Sequence, residues 1–340
     1  MLKKPIFAAL TVIISLTLIY VSLEVMFRAA DHFLPFGIGG VKDGYQRYAK
    51  YVSSKSDETI DSMSRLNRNV NLGWGSKERI DYQTNNYSFS VAFFGDSVTA
   101  GADVKQDEVY TALLADSLRD SGVRVVSFAV AGYGLDQMLF KAWSELADEH
   151  FDLIVFSYIP HDLIRVGTDF MYSLPKPKLE QRSGIVTVKA ADEVGDFYKR
   201  YDSAKRHFTF SLWAIDFLWR NRQYVVPVLY ERYYSASFDY LVSEFNRIGS
   251  ERGVPVVLAK LSNSTKFRGR EMLEQLAESG IIKRHEYSSL EFYDMDECTR
   301  EMTEEEGTDW ERVFIFHPGP KGHKFMEQCF LRFLGGRFSK

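Results

Sequence analysis

The chain has 340 residues, 45% of them hydrophobic and 26% charged, enough for one large core or two modest ones and typical of the globular class. Its 42 basic and 46 acidic residues leave a formal charge of -4. No basic stripe with interleaved aromatics is present, which sets nucleic-acid binding aside.

In chain order, the first element is an apolar run. Lys3 and Lys4 precede "PIFAALTVIISLTLIYVSL", residues 5–23, an uncharged stretch that as a helix spans roughly 30 Å of hydrocarbon. The run predicts a membrane segment over residues 5–27. An uncleaved anchor fits better than a signal peptide, because "FRAAD" puts Arg28 where a cleavage site wants a small residue. The leading lysines predict a cytoplasmic residue 1–4 tail, with the bulk of the chain across the membrane. Residues 28–88 are polar, contain "SSKSDETIDSMSRLNRNVN", lack a sustained period, and read as a stalk and lead-in.

From residue 89 to residue 340 short apolar runs alternate with amphipathic segments. The strands read from this pattern are "VAFFG" (91–95), "VRVVSFA" (123–129), "LIVFSYI" (153–159), "VPVVLAK" (254–260) and "LEFYDM" (290–295). Between them "EVYTALLADSLRDSG" and "LDQMLFKAWSELADEH" carry apolar residues at helical spacing. The expectation is a doubly wound, flavodoxin-like α/β three-layer sandwich around a mainly parallel five-stranded sheet. An insertion at about 163–250 interrupts it. "LPKPKLEQRSGIVTVKA" reads as a hairpin or extended loop. The stripe Phe208, Leu212, Trp213, Phe217 and Trp219 reads as core packing, with a lid or acyl-contacting wall as the alternative. Cys298 and Cys329 fit one disulfide or two buried thiols, and no Cys-x-x-Cys spacing argues for zinc.

In a sheet of this kind reactive groups gather beyond the carboxyl ends of the strands. There "VAFFGDSVTAG" ends its apolar run on Gly95-Asp96-Ser97, so the Ser97 hydroxyl could face a crevice while its own N–H faces a developing oxyanion. The Gly-x-Ser-x-Gly elbow is absent, since Thr99 replaces its second glycine. Gly132-Tyr133-Gly134 is a weak dinucleotide signal, because Gln137 stands where the third glycine belongs. Of seven histidines, His317 lies in a patterned block, "FHPGPKGHKFMEQ", whereas His207 and His285 sit among charges without one.

These blocks together resemble the GDSL or SGNH hydrolase family. "GDSVTAG" is similar to its first block, "VVSFAVAGYGLDQ" to its second and "FHPGPKGHKFMEQ" to its last. The resemblance covers residues 88–335 and implies Ser97 as nucleophile, His317 as base, Gly132 as an oxyanion donor and His323 as a structural companion. Two positions depart from the pattern. The third block, "LIVFSYIPHDLIR", has His161 where the family carries asparagine, and either an imidazole N–H donates there or His161 packs in a loop. Phe314 stands three residues before His317, where the family carries its aspartate. Asp309 and Glu311 are the nearest acids upstream, with Asp309 the first choice, a Ser97–His317 dyad the alternative and surface solvation the bland reading for both acids.

The resemblance implies a serine esterase acting on an O-acylated envelope glycan or lipid, with no metal or organic cofactor. Two alternatives accompany it, an O-acyltransferase to a polysaccharide and a catalytically silent scaffold or glycan-binding protein. The expected location is the bacterial inner membrane, facing the periplasm.

Overall fold

The computed structural model describes residues 3–33, 79–82, 86–166, 170–171, 174–182, 185–189, 227–264, 287–335 and 337. In chain order the strands are β1 (Ile80–Tyr82), β2 (Phe89–Gly95), β3 (Val123–Ser127), β4 (Leu153–Tyr158), the short β5 (Phe170–Met171), β6 (Leu174–Pro175), β7 (Lys178–Arg182) and β8 (Ile185–Lys189), then β9 (Val256–Lys260) and β10 (Leu290–Asp294). The helices are α1 (Lys3–Phe33), α2 (Ser97–Ala100), α3 (Tyr110–Ser117), α4 (Leu135–Glu145), α5 (Pro160–Arg165), α6 (Pro227–Arg252), α7 (Asp296–Glu305), α8 (Trp310–Val313) and α9 (Pro320–Leu334).

The main sheet has six strands in the order β1-β3-β2-β4-β9-β10. All neighbours in β3-β2-β4-β9-β10 run parallel, and each lies on an apolar run expected from the sequence. Taken alone, those five follow the flavodoxin-like order, whose switch point falls between β2 and β4. The sequence pattern predicts five strands and misses β1, which pairs antiparallel with β3 through Ile80 and Ser127. Three residues inside a polar lead-in are too few to show a period. β1 is held by charge as well: Arg124 pairs with Asp81 and, at 2.7 Å, with Glu149.

Alternation along the strands builds the layers. Ala92, Phe94, Ile154 and Phe156 face one side and pack on Leu139 of α4 and Phe245 of α6. Val91, Phe93, Val155 and Val257 face the other and pack on Leu114 of α3 and Phe330 of α9. A sheet buried on both faces in this way explains why its strands read as near-continuous apolar runs.

The insertion supplies the expected hairpin, with β7 antiparallel to β8 from Lys178–Lys189 to Arg182–Ile185. The aromatic stripe at 208–219 lies outside the described residues, as does most of the stalk. Cys298 of α7 and Cys329 of α9 form a disulfide, closing a chain separation of 31 residues that contains the His317 loop. A crosslink of that span stabilises by about 4 kcal/mol in the loop-entropy model.

The N-terminal apolar run is helical within α1. The expected membrane span is not established by it: among the described residues no helix is long and apolar enough to cross a membrane. Its described side chains, residues 10–26, mix Thr11, Ser15, Thr17, Ser22 and Glu24 with the apolar ones.

Candidate active site

Ser97 opens α2 immediately beyond the carboxyl end of β2. The turn is tight for identifiable reasons. Asp96 caps α2, accepting from the Val98 N–H at 2.9 Å, while Gly101 ends it in the left-handed region at φ 73°. At Gly95 a Cβ would lie 2.3 Å from Thr99 Oγ1, so only glycine lets β2 turn directly into the helix. The short apolar strand and the two glycines of "GDSVTAG" thus serve one purpose, a serine presented at the sheet's edge.

The histidine arrives from the other end of the chain. His317 lies between α8 and α9, next to Phe316, which is held at φ 48°. The loop following β9 supports it: the Asn263 amide donates to the Phe316 carbonyl at 2.7 Å and the Ser264 N–H to the Phe314 carbonyl at 2.8 Å. His317 Nε2 then lies 2.9 Å from Ser97 Oγ. The serine hydroxyl also has Asp96 Oδ2 at 3.2 Å, so its single proton has two acceptors and proton removal requires the histidine to win.

The second ring nitrogen has a carboxylate partner. His317 Nδ1 lies 2.8 Å from Asp103 Oδ2, giving the series Asp103–His317–Ser97. Asp103 sits six residues after the serine, in the turn beyond Gly101. It is not among the acids expected from the sequence. Asp309 caps α8, accepting from the Glu311 N–H at 3.0 Å, and pairs with Arg312. The Glu311 carbonyl accepts from Ser264 Oγ at 2.6 Å. Neither acid is brought to the ring by these contacts. Phe314 is fully buried, with Trp310 at 5.6 Å and Phe325 at 6.4 Å between ring centroids, so an aromatic fills the place next to the histidine and the acid comes from the serine's side. The only sequence signal for Asp103 is its closeness to Ser97, far from the block that carries His317.

Gly132 and His161 occupy the turns that follow β3 and β4, the two strands flanking β2. Gly132 has φ 86°, a left-handed conformation that favours glycine. His161 lies in the first turn of α5 and is partly exposed. Ser97, Gly132 and His161 therefore line the carboxyl ends of three adjacent strands at the switch point. Among the described residues no group of three or more His, Cys, Asp or Glu could hold a metal ion.

His323, in the first turns of α9, is buried and accepts from the Tyr110 N–H at Nδ1, 3.3 Å. Burial first, then the neighbouring His317, lowers its pKa to about 4. An unfolded chain protonates this residue from about pH 6.5 downward, whereas the folded chain resists until about pH 4. The native state therefore loses stability as pH falls through this window, by up to about 3 kcal/mol. His323→Gln keeps an acceptor for Tyr110 and should flatten the fall of Tm between pH 6.5 and 4. An unchanged slope would remove His323 as its source.

No protein-family model and no curated protein matches the chain. Similar solved structures include a catalytic mutant of an acetylxylan esterase from Geobacillus stearothermophilus (16% identity, 76% of this chain and 99% of that one, TM-score 0.41). A lipase from a goat rumen metagenome is similar at 13% identity over 74% of this chain and 100% of that one, TM-score 0.42. A putative lipolytic protein of the G-D-S-L family from Desulfitobacterium hafniense is similar at 11% identity, over 72% and 99%, TM-score 0.39.

Proposed function

We propose that this chain is an SGNH-type serine esterase working through an acyl-enzyme. The observation that carries the reading is the unbroken series from Asp103 Oδ2 through His317 to Ser97 Oγ, with steps of 2.8 and 2.9 Å. Ser97 Oγ attacks an ester carbonyl and His317 Nε2 takes its proton, then returns it to the departing alcohol. Asp103 accepts from Nδ1–H, selecting the tautomer that leaves Nε2 free to accept, and stabilises the imidazolium formed during attack. The N–H groups of Ser97 and Gly132 receive the oxyanion, with His161 as a side-chain donor in place of the family's asparagine. Water then releases the acyl group by the same steps in reverse order.

The substrate we assign is an O-acyl ester of an envelope glycan or lipid. Ile315 and Phe316, 59% and 52% exposed, give the rim beside His317 an apolar surface suited to an acyl chain or a sugar face. Export to an oxidising compartment agrees with the Cys298–Cys329 disulfide. The uncharged run at residues 5–23 behind Lys3 and Lys4 supports an N-terminal membrane anchor, and the exposed Leu10, Ile13, Leu18 and Ile19 of α1 suit an apolar surrounding.

Purified protein given p-nitrophenyl acetate or an O-acetylated sugar should release acetate. Acetyl appearing on an added sugar in preference to water would make the chain an O-acyltransferase, and no acetyl release under either condition would reject the reading. Alkaline phosphatase fused after residue 40 should be active in cells, and an inactive fusion would place the domain in the cytoplasm.

A further inference from the structure

Arg165, on the last turn of α5, is 6% exposed and takes no part in the serine–histidine series. Its Nη1 donates to the Tyr133 carbonyl at 3.0 Å, pairs with the Asp162 carboxylate, and stands 3.5 Å from Asp96 Oδ2. Each of these three partners is the chain neighbour of a site residue: Tyr133 of Gly132, Asp162 of His161 and Asp96 of Ser97. We infer that Arg165 is a positioning residue that fixes the loops carrying Ser97 and Gly132 relative to its own helix α5, which carries His161. The inference rests on the esterase reading given above.

Four further observations support it. Asp96 and Asp162 are both fully buried, and two carboxylates in one dry place need a cation between them. Burial, followed by the Asp96 charge, pushes the Asp162 carboxyl well above the usual range, against the pull of Arg165. Second, Asp96 Oδ2 is the oxygen that competes with His317 for the Ser97 proton. A guanidinium beside that oxygen weakens it as an acceptor and leaves the proton to His317.

Third, the loop after β3 packs directly on α5. A Cβ at Gly134 would lie 2.8 Å from Arg165 Cβ and 3.1 Å from the Asp162 carbonyl oxygen. Fourth, α5 is itself held from outside. Lys176, fully buried, donates to the Arg165 carbonyl at 2.9 Å and to Asp136 Oδ2 of α4 at 2.7 Å. The segment between β6 and β7 is thereby coupled by one buried contact to the helix bearing Arg165 and by another to α4. A displacement of about 1 Å can cost around a hundredfold in rate, so a tether of two site loops to α5 acts on the chemical step more than on binding.

The test compares wild type, Arg165→Lys and the double variant Arg165→Met with Asp162→Asn, which removes one charge of each sign together. Turnover of p-nitrophenyl acetate is counted per serine labelled to completion with a fluorophosphonate, so any unfolded fraction drops out. The double variant should lose about a hundredfold in kcat per labelled site with KM within about twofold, and Arg165→Lys should recover to within about tenfold of wild type. A kcat per labelled site within threefold of wild type in the double variant would overturn the inference, because Arg165 would then serve folding alone. A loss confined to KM would overturn it equally. If wild-type protein neither labels nor turns over ester, the esterase reading fails first and the inference falls with it.

Discussion

Asp103→Asn should slow ester turnover by about two to three orders of magnitude, while Asp309→Asn and Glu311→Gln leave it within about twofold of wild type. Asp103 supplies the only acid contact the structure gives to His317 Nδ1 among the described residues, at 2.8 Å. An asparagine in its place can turn its NH2 toward Nδ1, which favours the tautomer carrying its proton on Nε2, where the serine needs an acceptor. It also leaves the imidazolium without a counter-charge. A buried triad aspartate replaced by asparagine costs about 10⁴ in kcat. Asp103 is 62% exposed at its side chain, so water replaces part of its field and the loss should be smaller. Phe314→Asp is not expected to restore a family-like acid. It would bury a carboxylate among Trp310 and Phe325 and destabilise the domain. Initial rates at pH 7.5 for the four variants decide the matter: a slow Asp309→Asn beside an unaffected Asp103→Asn would reverse the assignment.

Ser97→Ala should abolish turnover, with a loss in kcat of about 10⁴-fold or more. The fold should survive, because the cap of α2 is Asp96 Oδ1 on the Val98 N–H, while of that carboxylate the serine hydroxyl contacts only the other oxygen. His317→Ala should lose a comparable amount, and the double variant Ser97→Ala with His317→Ala little more than either alone, since residues that act as one unit are not additive. Steady-state rates with far-ultraviolet circular dichroism check both halves. Turnover of folded Ser97→Ala within tenfold of wild type would place the nucleophile elsewhere.

Much of the scaffold is legible in the sequence because its strands are buried on both faces. Val91, Ala92, Phe93 and Phe94 are all fully buried, and such runs stand out from polar surroundings without any alignment. β1 is illegible for the opposite reason: Ile80, Asp81 and Tyr82 form an edge strand held partly by ion pairs, and a strand of three residues has no period to read. At the site, Ser97 and His317 are marked by glycines and prolines that shape their turns. These local signals survive in a linear text. Asp103 carries no such mark. Its role depends on how far the turn after Gly101 swings toward a histidine 214 residues away, and that distance is a property of the packed domain. Arg165 is hidden for the same reason, since two of its three partners, Asp96 and Tyr133, come from loops that only the parallel sheet brings to it.

The measurement that bears most directly on the central claim is the mass of the intact protein after reaction with a fluorophosphonate, followed by mapping of the modified peptide. The expected result is one adduct per chain, on Ser97 in the "GDSVTAG" peptide, formed at a rate that drops sharply in His317→Ala. Folded wild-type protein that takes up no adduct, or one that carries it on another residue, would contradict the assignment of Ser97 as an activated nucleophile.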